Sequence, residues 1–349
     1  MPRKVFERPG MALLELLYKT GIEKLGSRMW LSKQKLRTHG FQHAAVEMLL
    51  KETYIVEDQV YRSSPIYEEE YRDRIFKLFY GQGSEETDAI ITAKPVSKKI
   101  IASWMDVMDL MPSTPFPLFV IDLSMKFIHT EEELSSLKVQ LAMSLNVIRD
   151  YLWDAHLVIT SVGADPADWL AEVLGYHKAT ITSSKPSEVL WGMDADKVII
   201  LRPDAPQPLT SGDVLTADAF LIGGIVDRIP RPGISRVLDN LVPWGLPRRM
   251  ELRGSIIGVP ERINRIIEIL LKARYNYRGD VERAIISTMT KKDVMARLHV
   301  EISRRARRRG STPIVSWRLY EELAKWLPIT REDFEKAAAK AQARIVEEG

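Results

Sequence analysis

The 349-residue chain contains no cysteine. Disulfides, thiolate-held metals, iron–sulfur clusters and cysteine nucleophiles are therefore excluded together. No apolar run approaches the ~20 residues that a membrane span requires. The N-terminal apolar stretch is broken by Glu7 and Glu15, so it lacks the continuous core of a signal peptide. These absences make a reducing compartment, the cytoplasm, the expected location, with no membrane partner. Four signatures are also missing: GxGxxG after a strand, GxxxxGK[ST], HExxH and GxSxG. The usual dinucleotide, P-loop, zinc-protease and hydrolase-elbow readings go with them. His39 and His43 lie four apart, but Gly40 sits between them and no third ligand accompanies them. An ordinary structural role is expected for both, and no metal.

What is present is ordinary in amount and uneven in placement. Apolar residues are 45% and charged residues 28%, as in a globular protein. The net charge of +3 conceals segregation. Residues 1–40 hold nine Lys/Arg against three acids, residues 41–73 three against eight, and residues 272–310 twelve against four. The last segment contains the string RRARRR, with Arg304, Arg305, Arg307, Arg308 and Arg309. Such clustering is the electrostatic footprint of a polyanion partner. One basic run alone fits equally a solvated helix face or the ion-pair networks of a heat-stable protein. Two basic segments around a less charged middle favour nucleic acid.

The patterning suggests three parts. Residues 1–112 read as an α+β domain. MALLELLYKTGIEKL, FQHAAVEMLLKE and YEEEYRDRIFKLFYG carry helical apolar spacing, and TDAIITAK alternates as a strand. MPSTPFP places three prolines in seven residues and marks a boundary. From 113 to 275 strands and helices alternate, which implies a mostly parallel sheet with ligands at its carboxyl ends. PLFVIDLSM, HLVITSV, KATITS, KVIIL, AFLIGGIV and RRMELRG are its strands. Thr130 to Glu133 is a capping box opening a long helix, Asp165-Pro166 starts another, and Pro260 opens a third. Residues 276–349 read as a basic helical domain.

Three loops after these strands stand out. LIGGIVDRIPRPG ends a strand in Gly223-Gly224, and paired glycines there mark the close approach of a ligand or another backbone. Asp227 follows beside Arg228 and Arg231; it is either a functional acid, or an ion-pair or capping residue. ELRGSIIGVPERIN has Gly254 and Gly258 around a short loop, suited to a polar cofactor or simply to a connection. KVIILRPDAPQP runs into a proline-rich loop. Loops after neighbouring strands can converge on one pocket.

In order, VIDLSM, SLKVQLAMSLNVIRDYL, KVIILRPDAP, FLIGGIVDR and RRMELRGSIIGVPERINRIIEIL resemble the SPOUT-class tRNA methyltransferases that modify N1 of the purine at position 9, above all the archaeal branch. The likeness covers roughly residues 115–275, with support in the basic segment to about 310. It implies a parallel sheet with a C-terminal trefoil knot, S-adenosylmethionine as cofactor, tRNA as partner and action as a monomer. It places Leu201, Gly223, Gly224, Leu252, Gly254 and Ile257 in the cofactor loops and the proposed catalytic acid on Asp227. The family's conserved glutamine and arginine fall on Gln140 and Arg149, although Ile148 stands where the family often has asparagine. Arg228, Arg231, Lys291, Lys292 and the five arginines of RRARRR complete the expected RNA contacts. Two rival readings remain: a SPOUT methyltransferase acting on another tRNA or rRNA site, and a non-catalytic RNA-binding protein.

Overall fold

The computed structural model describes residues 5–27, 31–59, 62–95, 98–163, 170, 174–226, 233–309 and 312–347. The chain divides into two compact units, Met1–Ser124 with Leu141–Ala195 and Met125–Gln140 with Asp196–Gly349.

The first unit begins with α1 (Pro9–Thr20), whose proline occupies a first-turn position that needs no N–H. The helix stops at Gly21, so Leu25 lies in β1 (Lys24–Ser27) and not on the helix. Then come α2 (Lys33–Lys51), β2 (Tyr54–Glu57), β3 (Arg62–Tyr71) and β4 (Arg74–Glu86). YEEEYRDRIFKLFYG, expected as a helix, is instead the turn of the β3–β4 hairpin, paired up to Tyr71 and Arg74. Phe76 and Leu78 are buried while Ile75 is exposed, a period of two that matches a strand face. With β5 (Ala89–Thr92) and β6 (Ile100–Ser103) the strands form a six-stranded mixed sheet in the order β3-β4-β1-β5-β2-β6. Its core joins Leu13, Leu17, Phe41, Leu49, Phe76, Leu78 and Ile91. The acids of 41–73 meet lysines of the same unit: Glu47 with Lys51, Glu52 with Lys178, Glu57 with Lys99 and Glu68 with Lys77.

After α3 (Trp104–Met108), β7 (Leu118–Asp122) starts a parallel set with β8 (Leu157–Thr160) and β9 (Thr180–Ile181). Between β7 and β8 runs α4 (Glu131–Arg149), opened by the expected capping box. Thr130 N–H donates to Glu133 Oε2 at 3.0 Å, and Glu133 N–H donates to Thr130 Oγ1 at 3.3 Å. The division between units falls inside α4, after Gln140. The expected helix start at Asp165-Pro166 lies outside the described residues.

The second unit holds another parallel set in the order β12-β10-β11: β10 (Val198–Leu201), β11 (Ala219–Gly223) and β12 (Leu246–Arg248). The expected strand RRMELRG contributes only Arg248 to β12; the chain then loops to α8 (Ile263–Tyr275). Pro260 therefore precedes the helix by three residues. Between these lie α5 (Pro186–Gly192) in the first unit, then α6 (Ser211–Thr216) and α7 (Val237–Leu241). Beyond α8 come α9 (Val281–Thr288) and α10 (Lys291–Arg305). The C-terminal part is not wholly helical. β13 (Arg307–Arg309), β14 (Thr312–Ser316) and β15 (Arg344–Val346) form a three-stranded sheet beside α11 (Trp317–Ala324) and α12 (Arg331–Lys340). Thr312, Ile314, Val315, Ile345 and Val346 are β-branched, which suits a pleated, half-buried surface. Leu298, Ile302, Val315, Leu323 and Phe334 make a small core of their own.

Candidate active site

Parallel pairing brings the carboxyl ends of β10, β11 and β12 to one edge of the second unit. Leu201, the last residue of β10, is buried. The loop after it is fastened to the segment leaving β12. Arg202 N–H donates to Arg248 O at 3.0 Å, Leu209 N–H to Arg249 O at 2.8 Å and Arg249 N–H to Gln207 O at 2.9 Å. Arg249 Nη1 also donates to the carbonyls of Ala205 and Pro206 at 2.9 and 2.7 Å. Burial alone would raise the Asp213 pKa, but Thr210 and Arg248 hold the carboxyl below its ordinary value. The same contest, won by Arg236 and Arg202, lowers Asp204. Both acids are thus kept as anions bracing the loop ends.

The loop after β12 folds on itself. Leu252 N–H donates to Ser255 O at 2.8 Å and Ser255 N–H to Leu252 O at 3.2 Å, with Gly254 at φ 71°. Leu252 is fully buried, whereas Ile256 and Ile257 are exposed. A Cβ on Gly254 would meet nothing within 4 Å. At the end of β11, a Cβ on Gly223 would lie 3.2 Å from Ile225. Buried leucines, open space beside Gly254 and exposed isoleucines fit an adenosyl group, which needs apolar faces and backbone polar atoms. The chain beyond β11 is anchored at Val226, whose N–H donates to His129 Nε2 at 2.9 Å. His129 Nδ1 lies 3.0 Å from Lys126 O, which fixes Nδ1 as the protonated nitrogen. Asp227, Arg228 and Arg231 lie outside the described residues.

The remaining expected residues divide into two groups. Gln140 is buried; its Oε1 accepts Ile263 N–H at 2.9 Å, satisfying a donor at the start of α8. Arg149 makes a two-pronged pair with the buried Asp154, both bonds 2.7 Å, and also donates to Tyr176 O. Both side chains are occupied within the protein. Lys291, Lys292, Arg304, Arg305 and Arg307 are exposed, with Lys291 paired to Asp333 and Arg305 to Glu301 at 3.2 Å. Arg304 and Arg305 end α10, and Arg307, Arg308 and Arg309 form β13.

Two residues escaped the sequence reading. His129 carried no signal beyond its place before the capping box. Arg297 was counted with the basic segment, yet it is fully buried. Its spacing from Val294 and Glu301 puts it on the buried face of α10, which the period of 3.6 could have revealed. Among the described residues, no group of three or more side chains could hold a metal ion. No described helix is long and apolar enough to cross a membrane.

No family model matches the chain. The tRNA (adenine(9)-N1)-methyltransferase of Sulfolobus acidocaldarius is 32% identical over 290 residues, covering 82% of this chain and 85% of its own. The tRNA (guanine(9)-/adenine(9)-N1)-methyltransferase of Thermococcus kodakarensis is 31% identical over 230 residues, covering 63% of this chain and 61% of its own. The solved structure of Sulfolobus acidocaldarius Trm10 in complex with S-adenosylhomocysteine aligns with a TM-score of 0.66 at 25% identity, over 95% of this chain and 98% of that one. With the parallel strand sets above, this defines an α/β protein of the SPOUT type. The chain belongs to the family of archaeal tRNA (purine-9 N1)-methyltransferases.

Proposed function

We propose that the protein transfers a methyl group to N1 of the purine at position 9 of tRNA. The observation that carries this reading is the 32% identity with the Sulfolobus acidocaldarius enzyme over 85% of that relative. When bound, S-adenosylmethionine supplies a methyl on a sulfonium. Leu201, Gly223, Gly224, Leu252, Gly254 and Ile257 hold the cofactor at the three strand ends. The protein aligns the purine N1 and excludes water, and good alignment supplies roughly 7–11 kcal/mol of the barrier. Adenine N1 already has a lone pair. Guanine N1 carries a proton, and Asp227 accepts it; with adenine the same acid orients the base. General-base help of this kind is worth about 10²–10⁴-fold.

Position 9 is stacked in the folded tRNA, so the base leaves its stack to react. Arg228, Arg231, Lys291, Lys292 and the RRARRR arginines contact the phosphates, while Gln140 and Arg149 shape the RNA-facing part of α4 from within. The parallel sheet carries a C-terminal trefoil knot, and the enzyme works as a monomer in the cytoplasm. Its domains are 1–112, 113–275 and 276–349. The core cluster running from Ala12 to Met111 and the one from Val294 to Ala343 support the first and last.

The test is to incubate the protein with labelled S-adenosylmethionine and two unmodified tRNA transcripts that differ only in carrying G or A at position 9. Nucleoside analysis should show a 1-methylpurine from one or both. An Asp227→Asn variant should lose far more guanine than adenine methylation. Cofactor binding without any 1-methylpurine would shift the reading to another RNA site.

A further inference from the structure

Arg297 is the largest fully buried side chain of the described residues. It projects from α10 into the back of the loop that leaves β12. Its Nη1 donates to the carbonyls of Ser255 and Ile257 at 3.5 and 3.4 Å. Its Nη2 lies 2.7 Å from Glu301 Oε1, one helical turn on. Its guanidinium sits over the Trp326 ring, 5.5 Å from the centroid, and Arg253 from the same loop covers that ring at 4.4 Å. Gly258 closes the contact. With φ at +83°, a Cβ there would lie 2.7 Å from Arg297 Cβ and 2.9 Å from Asp293 O. Only glycine lets the loop backbone approach α10 so closely.

The buried end of this arrangement faces the cofactor loop, and its other end reaches the surface. Glu301 is shared. Its second oxygen lies 3.2 Å from Arg305, an exposed member of the RRARRR string, which also reaches Glu322 at 3.4 Å. A phosphate binding Arg305 competes with Glu301 for that guanidinium. Glu301 is then left to Arg297, and the guanidinium whose Nη1 reaches the Ser255 and Ile257 carbonyls is held more firmly.

We propose that Arg297, Glu301 and Arg305 form a relay that couples RNA phosphate binding at the end of α10 to the grip of the 252–259 loop on its cofactor. The inference rests on the proposed use of this loop for S-adenosylmethionine and of Arg305 for tRNA. The coupling is positive, and linkage makes it reciprocal: each ligand tightens the other by the same factor. Arg297 is a positioning residue, because it acts through the loop carbonyls.

The test is calorimetric titration of the full-length protein with S-adenosylhomocysteine, alone and with saturating unmodified tRNA transcript. Wild-type protein should bind S-adenosylhomocysteine about 5-fold more tightly with tRNA, the low end of typical couplings. Arg305→Gln, on the surface, should bring that ratio close to one at saturating tRNA. Arg297→Lys keeps the charge but loses the fork. It should weaken S-adenosylhomocysteine binding about 10-fold and also lose the tRNA dependence. A purely structural role would move affinity or thermal stability without touching the ratio. A wild-type ratio of one, or an unchanged ratio in Arg305→Gln, overturns the relay. Failure of wild-type protein to bind S-adenosylhomocysteine at all overturns the cofactor reading, and the relay with it.

Discussion

Arg149 shows how a residue expected to contact RNA can be engaged by the protein itself: half-buried, it is tied to a buried acid. Its fork closes on Asp154, whose side chain is fully buried, and the Asp154 carboxylate also accepts Lys178 N–H at 2.9 Å. Removing one partner of such a pair strands the other charge, at a typical cost of about 3–5 kcal/mol. Arg149→Leu should therefore lower unfolding free energy by roughly that amount, read from denaturant midpoints. A loss of tRNA affinity with unaltered stability would contradict this. His43 provides a second residue-scale prediction. Burial, with Lys35 and His39 nearby and against the pull of Glu47, drops its pKa from 6.5 to about 4. The unfolded chain takes up the proton first as pH falls. Stability is therefore intact above pH 6.5 and is lost progressively towards pH 4. His43→Gln should flatten that part of the stability profile.

At the scale of elements, α4 begins where the sequence says it should, because a capping box is a local signal. Thr130→Ala should cost about 1 kcal/mol in thermal or denaturant unfolding, the usual worth of such a cap. The same locality made β7, β8, β10 and β11 legible, since short apolar runs with β-branched or aromatic residues, bounded by turns, leave little choice. The β3–β4 hairpin was not legible. Its glutamates, arginines and aromatics also satisfy a helical spacing, and the pairing of Tyr71 with Arg74 is decided by a sheet assembled from distant segments. Likewise RRARRR reads as one run, yet Ala306 caps α10 and the next three arginines pair with Thr312–Ile314. The candidate site was legible in its glycines and strand ends. Its supports, His129 and Arg297, were not, because each is defined by a contact with a residue far away in sequence.

For the whole molecule, the segregation of charge is the feature most open to measurement. The acids of 41–73 are met largely by lysines of the first unit, so they do not offset the basic end of the chain. Replacing Lys292, Arg304 and Arg307 together with Gln should weaken tRNA binding and lower the slope of log affinity against log salt by up to about 2–3, near 0.7–0.9 for each lost phosphate contact. Filter binding across a salt series reads this directly, and an unchanged slope would place the RNA elsewhere. The chain also crosses between its two units three times, after Ser124, after Gln140 and after Ala195. No single break in the gene can therefore part the two units cleanly: a break after Ala195 keeps the first unit whole only by carrying residues 125–140 of the second with it. Any recombination event leaves a piece of one half attached to the other, so the pair has to be inherited, and engineered, as one indivisible coding block.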